Sequence, residues 1–81
     1  MSNEQNEIIE DLRGIKCPMN FVYTKNSISK IKIGETITVL LDDGQPIQNV
    51  PRSIGAEGHI IVDCLNCGDF WKLKIKKGYR L

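Results

Sequence analysis

"HIIVDCLNCGDFWKLKIK", His59 to Lys76, holds two runs of alternating apolar and polar residues separated by a short polar break. A two-residue turn at Cys67-Gly68 pairs Leu65 with Phe70, Cys64 with Trp71, Val62 with Leu73 and Ile60 with Ile75. One face of the hairpin then carries Ile60, Val62, Cys64, Trp71, Leu73 and Ile75. The other carries Ile61, Asp63, Lys72, Lys74 and Lys76. Strand side chains alternate with period two, so a slip of one residue would scramble this sorting. Gly68 in the second turn position suits the positive φ of a type I′ turn. A sheet with one apolar and one lysine-rich face predicts two layers, with helices on the first face and water on the second. Cys64 is therefore expected in the core behind Trp71, and Cys67 exposed at the turn tip.

Working back towards the start, "NVPRSIGAEG" (Asn49 to Gly58) reads as a short helix. Asn49 caps it, Pro51 sits in its first turn and Gly58 closes it. "DDGQP" (Asp42 to Pro46) is a loop, with Asp42 and Asp43 loop-forming rather than catalytic. "TITVLL" (Thr36 to Leu41) alternates Ile37, Val39 and Leu41 with Thr36, Thr38 and Leu40, a strand with one buried face. "PMNFVYTKNSISKIK" (Pro18 to Lys32) places Phe21, Ile28 and Ile31 near one helical face, with Lys25 between them, and Gly34 ends the segment. "IIEDL" (Ile8 to Leu12) is a first strand that stops at Arg13-Gly14. The order is β-α-β-α-β-β. It predicts an α+β two-layer sandwich, a four-stranded mixed sheet with two helices on one face.

The 81 residues fit one domain, with residues 1–7 ("MSNEQNE") as a flexible tail. A domain of this size buries only roughly 60–65% of its unfolded surface. The composition, 41% hydrophobic and 26% charged, is that of an ordinary globular protein. Eleven Lys and Arg against ten Asp and Glu give a formal charge of +1, without the positive excess of a dedicated nucleic-acid binder. The polar start has no apolar signal-peptide core, and no apolar run approaches the ~20 residues that span a bilayer. The expectation is a cytoplasmic protein without membrane contact. Three cysteines, an odd number, suit free thiols in a reducing compartment.

Cys17 lies between the first strand and the first helix, in "DLRGIKCPMN" (Asp11 to Asn20). Pro18 takes the first helical position, where its missing N–H costs nothing. Free N–H groups and the helix dipole favour an anion at that end, and Arg13 and Lys16 add positive charge. A cysteine there has a depressed pKa and a larger thiolate fraction. Asp11 is placed to orient Arg13. The only histidine, His59, lies far along the chain, so no protease-like base is in sight. The chemistry these residues suit is exchange at sulfur, in which a thiolate attacks an S–S bond without a strong auxiliary base. The competing reading makes Cys17 a small buried hydrophobe.

The same stretch resembles the motif of the TusA/SirA-like sulfur carrier proteins, in which a strand and a Gly-hydrophobic turn lead into Cys-Pro-x-Pro at the head of the first helix. "GETITVLLDD" (Gly34 to Asp43), "IQNVP" (Ile47 to Pro51), Gly58-His59 and "KIKKG" (Lys74 to Gly78) are similar to later segments of that family, so the likeness runs from about residue 8 to 78. The resemblance implies a sulfurtransferase that needs no cofactor. Cys17 would take a sulfane sulfur from a donor protein, a cysteine desulfurase or rhodanese-like, hold it as a persulfide, and pass it to an acceptor protein. The family serves tRNA thiolation, molybdenum-cofactor pathways and sulfur oxidation. Asp11, Arg13, Gly14, Lys16, Pro18 and Asn20 complete the motif. Asn20 stands where the family usually has a second proline, and it keeps a backbone N–H that proline lacks.

"CLNC" (Cys64 to Cys67) looks like a CxxC pair, but a zinc site needs two further ligands; Cys17 and His59 are the soft candidates and nothing in the spacing brings all four together, so no metal is expected. The lysine-rich face suits a solvated surface, or a binding module for RNA or an acidic partner. Direct nucleic-acid contact is not expected, since no aromatic pair lies among the lysines for base stacking.

Overall fold

The computed structural model of the chain describes residues 8–16 and 18–78. Its centre is strand β2 (Thr36–Asp42), which pairs in parallel with β1 (Ile8–Asp11) and antiparallel with β4 (Phe70–Lys76). Strand β3 (Ile60–Asn66) adds to the far side of β4, so the sheet order is β1-β2-β4-β3. Helix α1 (Met19–Ser29) joins β1 to β2, and α2 (Gln45–Ala56) joins β2 to β3. The element order and the two-layer architecture match the expectation from sequence. No helix among the described residues is long and apolar enough to cross a membrane.

The core lies over the two central strands. Ile37, Val39 and Leu41 of β2 and Leu73 and Ile75 of β4 are fully buried, against Ile28 of α1 and Val50 and Ile54 of α2. Complete burial of such side chains stabilises by roughly 1.5–3 kcal/mol each, so these few residues carry most of the hydrophobic driving force. Helix α1 departs from the expected pattern. Its buried stripe is Asn20, Thr24, Ser27 and Ile28, while Phe21 is only partly buried and Ile31 packs from the loop after the helix. The polar members are accommodated locally in part, and Asn20 Nδ2 is buried without a hydrogen-bond partner among the described residues. The Thr24 hydroxyl donates to the Asn20 carbonyl at 2.8 Å, and Asn20 Oδ1 accepts the Phe21 N–H at 2.7 Å.

The cap of helix α2 lies five residues earlier than the expected Asn49, at Gly44. Gly44 has φ +97°, Pro46 occupies the first turn, and Pro51 lies inside the helix. A first-turn proline costs no backbone bond, and Pro46 rather than Pro51 fills that role.

The hairpin also differs. Its two-residue turn is Gly68-Asp69, closed by the Cys67 N–H donating to the Phe70 carbonyl at 2.8 Å. Gly68 has φ +105°, and no non-glycine residue among those described has positive φ, which suits a turn with glycine in its first central position. The pairing is therefore Asn66 with Trp71, Cys64 with Leu73 and Asp63 with Lys74. Between Asp63 and Ile61 a bulge shifts the register, so Ile61 opposes Ile75 and Ile60 opposes Lys76. Ile61 packs on the core, whereas Ile60 and Val62 are exposed. Cys64 is exposed as well, because β3 is the edge strand and the core sits over β2 and β4; Cys67 is half-buried. The expected placement of Cys64 in the core behind Trp71 is thus corrected, as is the full exposure expected of Cys67.

At the edge of the sheet away from Cys17's segment, Gly78 donates its N–H to His59 Nδ1 at 3.1 Å. The two chain segments pass so closely there that a Cβ on Gly78 would run into the Gly58 carbonyl oxygen. Gly55, by contrast, has open space around its Cα and an ordinary helical backbone. Gly78→Ala is therefore expected to destabilise by about 1–3 kcal/mol, the usual range for overpacking. Gly55→Ala should stabilise by about 0.5–1 kcal/mol, the helix preference of alanine over glycine. Urea unfolding of both variants checks the pair of opposite signs.

Candidate functional site

Strands β1 and β2 run in parallel, so the loop leaving β1 and the turn leaving β2 open on the same edge of the sheet, and both helices start there. Cys17 itself lies outside the described residues; its neighbours Lys16 and Pro18 are exposed at this edge. Pro18 is the N-cap of α1 rather than its first helical residue. The Asn20 N–H donates to the Lys16 carbonyl at 3.2 Å and the Val22 N–H to the Pro18 carbonyl at 3.1 Å. The first turn carries no acidic side chain. Such a helix start leaves the positive end of the dipole for an anion, although the Asn20 and Phe21 N–H groups are already bonded, to the Lys16 carbonyl and Asn20 Oδ1.

The loop before Cys17 is tied down at several points. The Leu12 N–H donates to the Leu40 carbonyl at 3.0 Å and the Ile15 N–H to the Leu12 carbonyl at 3.2 Å. Arg13 makes a two-pronged bond to Asp11, Nε to Oδ1 at 2.8 Å and a terminal nitrogen to Oδ2 at 2.7 Å. Its guanidinium also lies over the Phe70 ring, 4.7 Å from the centroid. Planar fork bonding and stacking together are a combination arginine serves and lysine does not. The Arg13 hydrogen bonds hold the Asp11 carboxyl down at a pKa of about 2, and the same pairing raises that of Arg13. Gly14, at φ +82°, turns the chain and donates its N–H to Asp42 Oδ2 at 2.8 Å. A side chain at this φ would be strained, so glycine is required for the turn and the bond together.

Asp42 and Asp43, read from sequence as loop formers, have divided roles. Asp42 anchors the loop before Cys17, and Asp43 Oδ1 accepts the Trp71 Nε1–H at 2.9 Å, fixing the turn before α2 to β4. Between the two loops runs an open groove of about 550 Å³, floored by Gly14 and Ile15 and walled by Lys16, Asp42, Asp43 and Pro46. Asp42, Phe70 and Trp71 were not singled out for the site by sequence reasoning. The acidic pair before Gly44 was the available signal, since Asp favours such turn positions.

The structure brings Asp11, Arg13, Gly14, Lys16 and Pro18 to this edge, with Asn20 buried beneath it. His59 lies at the opposite end of the strands and Cys64 on the edge strand β3, whereas Cys67, beside the hairpin turn, is at the same end of the sheet as Asp42 and Phe70. Cys64 and Cys67 are free thiols, and no three His, Cys, Asp or Glu side chains among the described residues are grouped to hold a metal ion. Partial burial, and then the Asp63 carboxylate, push the Cys64 thiol above its ordinary range.

Residues 8–77 match the family described as "Sulfurtransferase TusA". A relative from Archaeoglobus fulgidus, named "Putative sulfur carrier protein", is 37% identical over 75 residues, covering 91% of this chain and 84% of its own. The "Sulfur carrier protein TusA" of Buchnera aphidicola is 27% identical over 71 residues, 88% of this chain and 90% of that one. Among solved structures, a SirA-like protein from Desulfitobacterium hafniense superposes with a TM-score of 0.75 at 23% identity, over 89% of this chain and 99% of that one, and shares the fold.

The Asp11–Arg13 pair makes a pH prediction. The folded carboxyl pKa of about 2 is depressed, against about 3.9 for an unfolded aspartate. The pair's contribution is thus fully present above about pH 4 and lost as the pH falls towards 2. Urea unfolding across that window should show the wild type losing stability more steeply than Asp11→Asn. Equal slopes would show that the pair does not favour folding.

Proposed function

Because the chain belongs to the TusA sulfurtransferase family, we propose that it relays sulfane sulfur from a donor protein to an acceptor protein as a persulfide on Cys17. The observation that carries this reading is the braced loop ahead of Cys17. It is bonded to β2 through Gly14 and Asp42 and stacked on β4 through Arg13 and Phe70, and it leads to the positive end of α1, whose first turn carries no acidic side chain. A thiolate is the nucleophile in sulfur exchange, and a helix N-terminus free of acidic side chains favours the thiolate.

Each step balances without a cofactor. The Cys17 thiolate attacks the outer sulfur of the donor's persulfide, the donor's S–S bond breaks, and the donor cysteine leaves as thiolate with the bonding pair. Cys17 then carries S–SH. An acceptor thiolate attacks that terminal sulfur in turn and releases Cys17 as thiolate. Lys16 is exposed beside the cysteine and has no ion-pair partner among the described residues, so its charge is available to the sulfur anion. Asn20 keeps a backbone N–H in the first turn, and that N–H donates to the Lys16 carbonyl at 3.2 Å.

Incubation with a cysteine desulfurase and free cysteine should add one sulfur atom, seen by intact mass and removed by a reductant. Cys17→Ser should abolish the addition while thermal unfolding stays close to wild type. A Cys64→Ser, Cys67→Ser double variant should still load. Sulfur uptake by Cys17→Ser equal to wild type would refute the assignment.

A further inference from the structure

The sheet face turned away from the helices is built differently from a merely solvated surface. Lys72, Lys74 and Lys76 form a column down β4. Register places Leu40 and Leu65 beside Lys72, Thr38 and Asp63 beside Lys74, and Thr36 and Ile60 beside Lys76. None of the three lysines has an ion pair among the described residues. On either side of the column stand large apolar side chains in water: Ile9 on β1 is 56% exposed, and Ile60 and Leu65 on β3 are each 52% exposed. A notch of about 180 Å³ opens in the middle, between Thr38, Asp63, Leu65, Lys72 and Lys74, so that one carboxylate stands against two lysines there. Unpaired cations flanked by exposed aliphatic side chains form the pattern of a binding surface with a charged centre and apolar shoulders.

We propose that this face docks an acidic amphipathic helix of a partner protein. The lysines recur every second strand residue, about 6.7 Å apart. Carboxylates four residues apart on a helix recur about every 6 Å, a close match over three positions. Aliphatic residues beside those carboxylates meet Ile9 on one side and Ile60 and Leu65 on the other. A nucleic acid fits less well. Phe70, an aromatic ring on this face, is already covered by the Arg13 guanidinium, so among the described residues no stacking platform is open on it, and the apolar shoulders have no counterpart in a phosphate backbone. The assignment stands independently of Cys17, although Arg13 links the top of this face to the loop before that residue.

The test uses the full chain and a synthetic helical peptide of about five turns, with glutamates four residues apart and leucines beside them. Titration followed by amide NMR should give saturable shifts centred on residues 60–65 and 72–76. The affinity should drop at least about tenfold in the Lys72→Gln, Lys74→Gln, Lys76→Gln variant and weaken as salt screens the charges. Lys74→Gln alone should give a smaller loss and serves if the triple variant does not fold. Shifts centred on α1 near Lys16 and Lys25, no saturation, or unchanged affinity in the variants would overturn the proposal. So would a single-stranded RNA of equal charge that fills the same face at lower concentration. Desulfurase loading of the triple variant separates this idea from the Cys17 reading: lost binding with normal loading removes the docking surface only.

Discussion

The parallel pairing of β1 with β2 is the constraint on which the rest depends. It buries β2 between two neighbours, so that Ile37, Val39 and Leu41 can anchor both helices. It also forces the segments that follow the two strands to emerge on one edge, where each becomes a helix N-terminus. An antiparallel β1 would send the Cys17 loop to the opposite edge, away from Asp42 and Asp43. The two positive helix ends, the two carboxylates and the Arg13–Asp11 pair are neighbours because of one choice of strand direction.

Much of this was legible in the sequence for a simple reason. The strands of the central pair alternate cleanly, and alternation determines which residues share a face whatever the turn does. The hairpin shows the limit of that logic. Glycine satisfies either central position of a tight turn, and moving the turn by one residue changes the pairing by two, which leaves every side chain on its original face. Cys64 therefore lies on the helix side as expected, yet exposed, since facing the helices and being covered by them are different things at an edge strand. The bulge erased the alternation at Ile60 and Ile61. "HIIVD" offers three apolar residues in a row, and no local pattern says which of them will be set aside.

The site divides in the same way. Its chemistry-bearing core was readable because Asp11 to Asn20 is continuous in the chain. Its bracing was not, because the Gly14–Asp42 and Asp43–Trp71 bonds each join residues 28 positions apart. The polar underside of α1 was hidden for a different reason. Thr24 and Ser27 occupy core-facing positions that a search for apolar periodicity assigns to solvent, and the Thr24 hydroxyl bonds only to its own helix, where no distant partner leaves a sequence mark.

The surroundings of Cys64 bear on fidelity. A protein that stores reactive sulfur on one cysteine while displaying others risks losing the cargo to itself or to a second copy. Nucleophilicity towards sulfur belongs to the thiolate, and the environment of Cys64 disfavours that form, first by partial burial and then by the adjacent carboxylate of Asp63. The backbone adds a geometric barrier, because residues three apart in or beside an extended strand are held near 10 Å, beyond the Cα separation of about 7 Å that a disulfide tolerates. Cys64 is thus a poor thief, and it cannot easily bond to Cys67, so the edge strand can expose that thiol without short-circuiting a sulfur relay.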